Sequence, residues 1–334
     1  MGHSNIAIFI PHQGCKHLCS FCNQKIISGE TEKVTPEKVA EELKNAFLNP
    51  LDCSNTEIAF FGGSFTCLPK EEMQSFLKIA YPYVQNGQAS GIRISTRPDS
   101  IDKDILTTLK NYGVTAIELG AQSLDDNVLL LNRRGHTASD VKNASNLIKE
   151  YGFSLGLQMM VGLYGDRKES LYKTAKEIVL LKPDTVRIYP TVVLKGTYLD
   201  TLRLKGLFSP ANLYYASEMS AELIKMFEDS DIKVIRVGLH ASKEVEESKT
   251  GGAYHPAFRE ICESILKREE LLKEFERFEK GDALTVYVPS NELSKTVGQK
   301  RSNIIWAEKQ GYRITVKPSD CEKIKVELTI RKER

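Results

Sequence analysis

A chain of 334 residues, 41% hydrophobic and 27% charged, can bury a large core and has the makeup of a globular protein with one large domain and a small one. Its formal charge of +2 excludes a uniformly basic nucleic-acid binder but allows a local basic patch. There is no apolar run of the roughly 18 residues a membrane span needs and no charged-then-apolar N-terminus, so a cytoplasmic protein without membrane contact is predicted.

Asn5–Ile10 reads as a short buried strand that stops at Pro11. Thr35 and Pro36 are an N-cap and a first-turn proline, and they open an amphipathic helix to about Phe47. A second strand, Glu57–Phe61, runs into Gly62-Gly63-Ser64 and then a helix from Lys70 to Tyr83. Strand Gly91–Ser95 precedes helix Ser100–Tyr112, and strand Thr115–Gly120 precedes helical pattern near Asp125 and over Ala138–Tyr151. Strand Ser154–Val161 leads to helix Arg167–Leu181, and strand Asp184–Tyr189 to helix Ala211–Glu228, with a last short strand at Lys233–Val237. The strands read as continuous apolar runs alternating with helices, which predicts a parallel sheet covered by helices. Loops after the carboxyl ends of such strands gather on one face, where chemistry is sited.

The pattern changes after residue 240. Ser242–Gly252 reads as a polar loop and Pro256–Lys280 as a charged connector helix. Residues 281–334 read as a small α+β module: strand Leu284–Val288, two helical segments interrupted at Val297–Arg301, and strands at Tyr312–Val316 and Lys323–Ile330. The expected division is therefore 1–240, 241–280 and 281–334.

Seven cysteines, three of them at Cys15, Cys19 and Cys22, do not form a disulfide pattern. Thiolates are soft ligands for zinc, copper(I) or iron–sulfur clusters. His12 or His17 would complete a zinc site, whereas three thiolates alone suit a four-iron cluster with one iron open. Cys53, Cys67, Cys262 and Cys321 are isolated, and packing is the plain reading for them; Cys262 lies in a linker with His240, Tyr254 and His255.

The spacing Cys15-x3-Cys19-x2-Cys22, with Phe21 before the last cysteine, resembles the signature of radical S-adenosylmethionine (SAM) enzymes. The resemblance implies a partial (β/α)6 barrel, a [4Fe-4S] cluster on the three cysteines, and SAM on the open iron, cleaved to a 5′-deoxyadenosyl radical. Gly62, Gly63 and Ser64 are similar to the family's glycine motif at the methionine amino group. Gln122 and Arg134 resemble a glutamine near SAM and an arginine for its carboxylate, with Arg133 as the neighbouring alternative. Ser95 and Gln158 fall where the family places ribose contacts, although related branches often carry carboxylates there, and Tyr189 falls near the adenine.

Ile94–Asp99, Glu118–Ser123, Arg134–Thr137 and Arg187–Thr191 are similar to the Elongator-subunit-3-like branch, which modifies wobble uridine in tRNA. The acetyltransferase domain of that branch has no counterpart here, so carboxymethylation through acetyl-CoA is not implied. Val297–Ile304 and Tyr312–Val316 resemble an RNA-binding KH domain, but Arg301 replaces the second glycine of its clamp; Lys295, Lys300 and Arg301 would meet phosphates. The resemblance thus implies RNA, foremost tRNA, as partner and reduced ferredoxin or flavodoxin as electron donor. Two other readings stand beside it: a radical SAM enzyme acting on a small molecule, as in the coproporphyrinogen-oxidase-like branch, and a non-enzymatic RNA-binding protein carrying zinc or a cluster.

Overall fold

The computed structural model describes residues 4–11, 13–15, 18–29, 32–48 and 52–329. The large sheet begins with β1 (Ser4–Ile10), β2 (Thr56–Gly62), β3 (Gly91–Thr96), β4 (Val114–Gln122), β5 (Ser154–Val161) and β6 (Thr185–Pro190), each parallel to the next. The chain then makes a short strand outside that sheet, β7 (Val192–Leu194), and returns with β8 (Lys233–Val237) parallel to β6. The sheet therefore has seven strands, one more than six β/α units supply, and it curls into a half-barrel. Helices cover its outer face, and their apolar stripes close one continuous core with Ile58, Ile92, Ile117 and Leu155 of the strands. The helix starts follow local chemistry: the Thr35 hydroxyl accepts from Lys38 N, and Thr137 and Asp140 form a reciprocal capping box.

Two expectations change. Ser242–Gly252 is not a loop. Ser242 caps a helix, Lys243–Ser248, and β9 (Lys249–Gly252) pairs antiparallel with β7. The glycine pair is what permits this pairing: Gly252 sits at φ +87°, and a Cβ there would lie 2.3 Å from Thr191 O. The connector helix is also shorter than expected, Phe258–Phe275. Its first half contributes Phe258 and Cys262 to the barrel core, and its second half gives Leu271 and Phe275 to a separate core.

That second core belongs to the small C-terminal unit. There β10 (Ala283–Pro289) lies between β11 (Arg313–Ser319), parallel to it, and β12 (Lys325–Leu328), antiparallel to it. Short helices Leu293–Val297 and Ser302–Gln310 join β10 to β11, so the order strand–helix–turn–helix–strand–strand is present. The expectation for Ile330 lies outside the described residues.

Candidate active site

The cysteine loop leaves β1 and is held by backbone. Gly63 N donates to Ile10 O at 2.7 Å and Ser64 N to Gln13 O at 3.1 Å. A Cβ at Gly63 would stand 2.1 Å from Gln13 O, and one at Gly14 (φ +74°) 2.3 Å from Ser64 O, so the two segments touch only because both residues are glycine. Gln24 Nε2 donates to Gly62 O from the far side. The second half of the loop is pinned through Ser20, whose Oγ donates to Asn132 Oδ1 at 2.7 Å and whose N donates to Asn132 O at 3.1 Å. Asn132 is fully buried and anchored to Val128 O and Tyr164 O. Nothing in its sequence setting singles it out.

Cys15, Cys19, Cys22, Phe21, Gly62, Gly63, Ser64, Ser95, Gln122, Arg134 and Gln158 surround one cavity at the carboxyl ends of the strands. Burial, followed by the other cysteines, raises the Cys15 thiol and pushes Cys22 up to about 12. All three are free thiols. The protein alone thus holds Cys15 and Cys22 protonated, and a bound cation of high charge would drive the protons off. His12 and His17, the candidate fourth zinc ligands, lie outside the described residues.

Arg134 is 6% exposed, and its Nη1 lies 3.0 Å from Cys19 Sγ, while Arg133 faces outward with its guanidinium over the Tyr198 ring at 3.3 Å. The geometry therefore brings Arg134, not Arg133, to the cavity. Gln122 ends β4 at φ +65°, beyond a register shift, and its Oε1 is buried with no partner among the described residues. A glutamine in the left-handed region is strained, and strain of that kind collects at functional sites. Arg134 Nε and Ser95 Oγ are likewise buried with no partner among the described residues. Three orphaned polar atoms on residues that line one cavity, beside free thiols, fit a polar ligand next to a cluster.

The Ser64 hydroxyl is committed to Thr96 Oγ1 at 3.0 Å, Cys67 Sγ at 3.1 Å and Arg97 N at 3.2 Å, so only the backbone of this residue is presented. Cys67 is placed by this network and by Ser100 Oγ at 2.7 Å. Arg97, unforeseen in the sequence, grips Asp99 through two bonds and donates to Arg134 O. Burial lifts the Asp99 carboxyl, but the Arg97 fork outweighs it and the group titrates below its ordinary range.

The concave face of the sheet carries a ladder of charge. In-register neighbours point the same way, so Glu57, Arg93, Glu118, Gln158 and Arg187 from five successive strands share this face. Arg93 joins Glu57 at 2.7 Å and Glu118 at 3.3 Å, and Arg187 Nη2 donates to Glu118 Oε1 at 2.7 Å. Burial opposes the charge on Arg187, but Glu118 overrides it and the net shift is upward. Gln158 Nε2 donates to Glu118 Oε2 at 3.1 Å, leaving its Oε1 as an acceptor. Tyr189, raised by burial, lines a second cavity of about 480 Å³ that shares Phe21, Cys22, Ser95, Gln122 and Gln158 with the first.

In the C-terminal unit Gly298 sits at φ +76°, and Lys300 and Arg301 follow at φ +52° and +61°, both exposed. Lys295 does not stand free: it is paired with Glu263 of the connector helix at 2.8 Å.

Against protein families, residues 9–178 match the radical SAM superfamily. The chain belongs to the radical SAM superfamily. Residues 183–268 match the radical SAM C-terminal domain. The chain is 30% identical over 203 residues to an uncharacterized protein of Methanocaldococcus jannaschii, covering 60% of this chain and 59% of that one. It is 29% identical to a tRNA uridine(34) acetyltransferase of the same organism, over 50% of this chain and 34% of the relative. Among solved structures, Methanocaldococcus infernus Elp3 with an N-terminal deletion superposes with TM-score 0.65 at 21% identity, covering 81% of this chain and 64% of that one, a likeness of fold. The chain thus spans less than two thirds of these relatives. As a radical SAM enzyme it uses a [4Fe-4S] cluster and SAM. Among the described residues no helix is long and apolar enough to cross a membrane.

Proposed function

We propose that this radical SAM enzyme modifies RNA, with tRNA the leading substrate. Cys15, Cys19 and Cys22 would hold the cluster, the Gly62–Ser64 backbone the methionine amino group, and Arg134 the carboxylate as a planar fork. Ser95 and Gln158 would receive the ribose, and Tyr189 would flank the adenine. Once bound, the cluster and SAM would supply the 5′-deoxyadenosyl radical. The chain's own part is to orient SAM, exclude water with Phe21 and the apolar cavity wall, and admit the substrate. The observation that carries this reading is the convergence of three free thiols with the partnerless Gln122 Oε1, Arg134 Nε and Ser95 Oγ on one cavity. The RNA half is supported by the likeness to tRNA uridine(34) acetyltransferase. It is also supported by the exposed Lys300–Arg301 turn, in the strand and helix order of a KH-like module.

The test is reconstitution with iron and sulfide under argon, reduction, and assay of 5′-deoxyadenosine, followed by comparison of modified nucleosides in tRNA from cells with and without the gene. Absence of 5′-deoxyadenosine from an intact cluster sinks the enzymatic reading, and identical nucleosides sink the tRNA substrate. For the turn, K300A/R301A is expected to weaken tRNA binding and to lower the salt slope by about two. An unchanged slope removes the RNA role from this unit.

A further inference from the structure

The charge ladder inside the barrel alternates until its last rung. Across β2, β3, β4 and β6 the charged residues run Glu57, Arg93, Glu118, Arg187, and each cation has a carboxylate within 3.3 Å. The next strand, β8, places Arg236 opposite Arg187, so a second cation stands where alternation calls for an anion. Arg236 is half-buried, and the bond found for it among the described residues runs from Nε to Gly238 O at 3.1 Å, a carbonyl that carries no charge. Glu118 is already taken by Arg93, Arg187 and Gln158. Arg236 lines the second cavity with Arg187 and the exposed His240, and among the described residues no carboxylate lines that cavity. A half-buried guanidinium without a counter-charge is costly, and its free fork suits an oxyanion.

We propose that the β8 wall of the cavity, at Arg236, is a subsite for an anionic oxygen group of the substrate, a phosphate or a carboxylate. It is distinct from the place given to the SAM carboxylate, because Arg134 lines the first cavity and not the second, and Arg236 the second and not the first. The assignment rests on the proposed function, with the second cavity taking the substrate beside the adenine at Tyr189. It requires no turnover, so it can be tested apart from that reading.

The reconstituted holoprotein is titrated by calorimetry with uridine monophosphate against uridine, and with glutarate against glutaramide, at one ionic strength. At least one anionic probe is expected to bind roughly tenfold more tightly than its neutral partner, with the preference lost in R236Q and partly kept in R236K. A preference in the phosphate pair alone assigns a nucleotide phosphate, and one in the carboxylate pair alone a small organic acid. Equal affinities within both pairs, or a preference that survives in R236Q, overturn the subsite. Should R236Q fail to fold, phenylglyoxal labelling of the unaltered holoprotein decides: the preferred anion must protect Arg236 in a peptide map, and undiminished labelling overturns the subsite. Failure of 5′-deoxyadenosine formation or of tRNA modification would sink the proposed function while leaving these affinities readable.

Discussion

Arg134 touches Cys19 and lines the cavity, and its Nε has no partner among the described residues, so its removal should show first in cofactor binding. R134A is expected to raise the Kd for SAM on reconstituted protein by about 10–100-fold, the worth of a charge-assisted bond, and an unaltered Kd would remove it from the site. Gln158 explains how an amide replaces a carboxylate. With its nitrogen held by Glu118, only the oxygen is left for hydroxyl donors. Restoring a carboxylate through Q158E would set two acids against each other. We expect a loss of about 1–3 kcal/mol in denaturant titration, and a neutral result would mean that Glu118 does not orient the amide. His136 gives a pH signature. Burial, then Arg134 and Arg97, lower it to about 3 against the pull of Asp99, and its Nε2 bonds Ala121 O as a neutral ring. The unfolded chain binds a proton there below about pH 6.5 that the folded one refuses, so stability falls as pH drops from there toward 3. The loss should be about 2 kcal/mol between pH 7.5 and 5, and it should be missing in H136N. The cysteines, the glycine pair and Arg134 were legible because each belongs to a short spacing with a chemical reason. Asn132, Arg97 and Arg236 were not, because each acts through a partner tens of residues away or on another strand.

At the level of elements, the helices and parallel strands could be read from periodicity and caps, and the Thr35–Pro36 start is an example. The strands misled in one respect. They read as wholly apolar, yet Glu57, Arg93, Glu118 and Arg187 alternate with the buried apolar residues beside them and so point to the concave face. A single charge in a six-residue strand looks like noise until the sheet sets it beside its partner. The cysteine loop is held by contact with Gly62–Ser64 more than by its own sequence. G63A should therefore reduce iron and sulfide content per chain roughly twofold or more, because backbone carbonyls cannot yield to a Cβ as a flexible side chain would. Full loading of G63A would show that the loop is not shaped by that contact.

For the whole molecule, the helix Phe258–Phe275 is the mechanical link, since it enters both cores. Leu271 is fully buried in the smaller one, so L271A should cost about 2–5 kcal/mol there. A thermal scan is expected to show the C-terminal unit melting earlier while the barrel transition stays in place, and one unshifted transition would contradict two separate cores. By itself the sequence determined the cofactor chemistry and the alternation of strand and helix, because both depend on residues close together in the chain. Tertiary structure decided which arginine enters the site, that Ser64 turns its hydroxyl away, that β7 and β9 pair, and that the barrel's ladder ends with Arg236 beside Arg187. These depend on which strands become neighbours and which side chains then compete for the same carboxylate, and no local spacing encodes that competition.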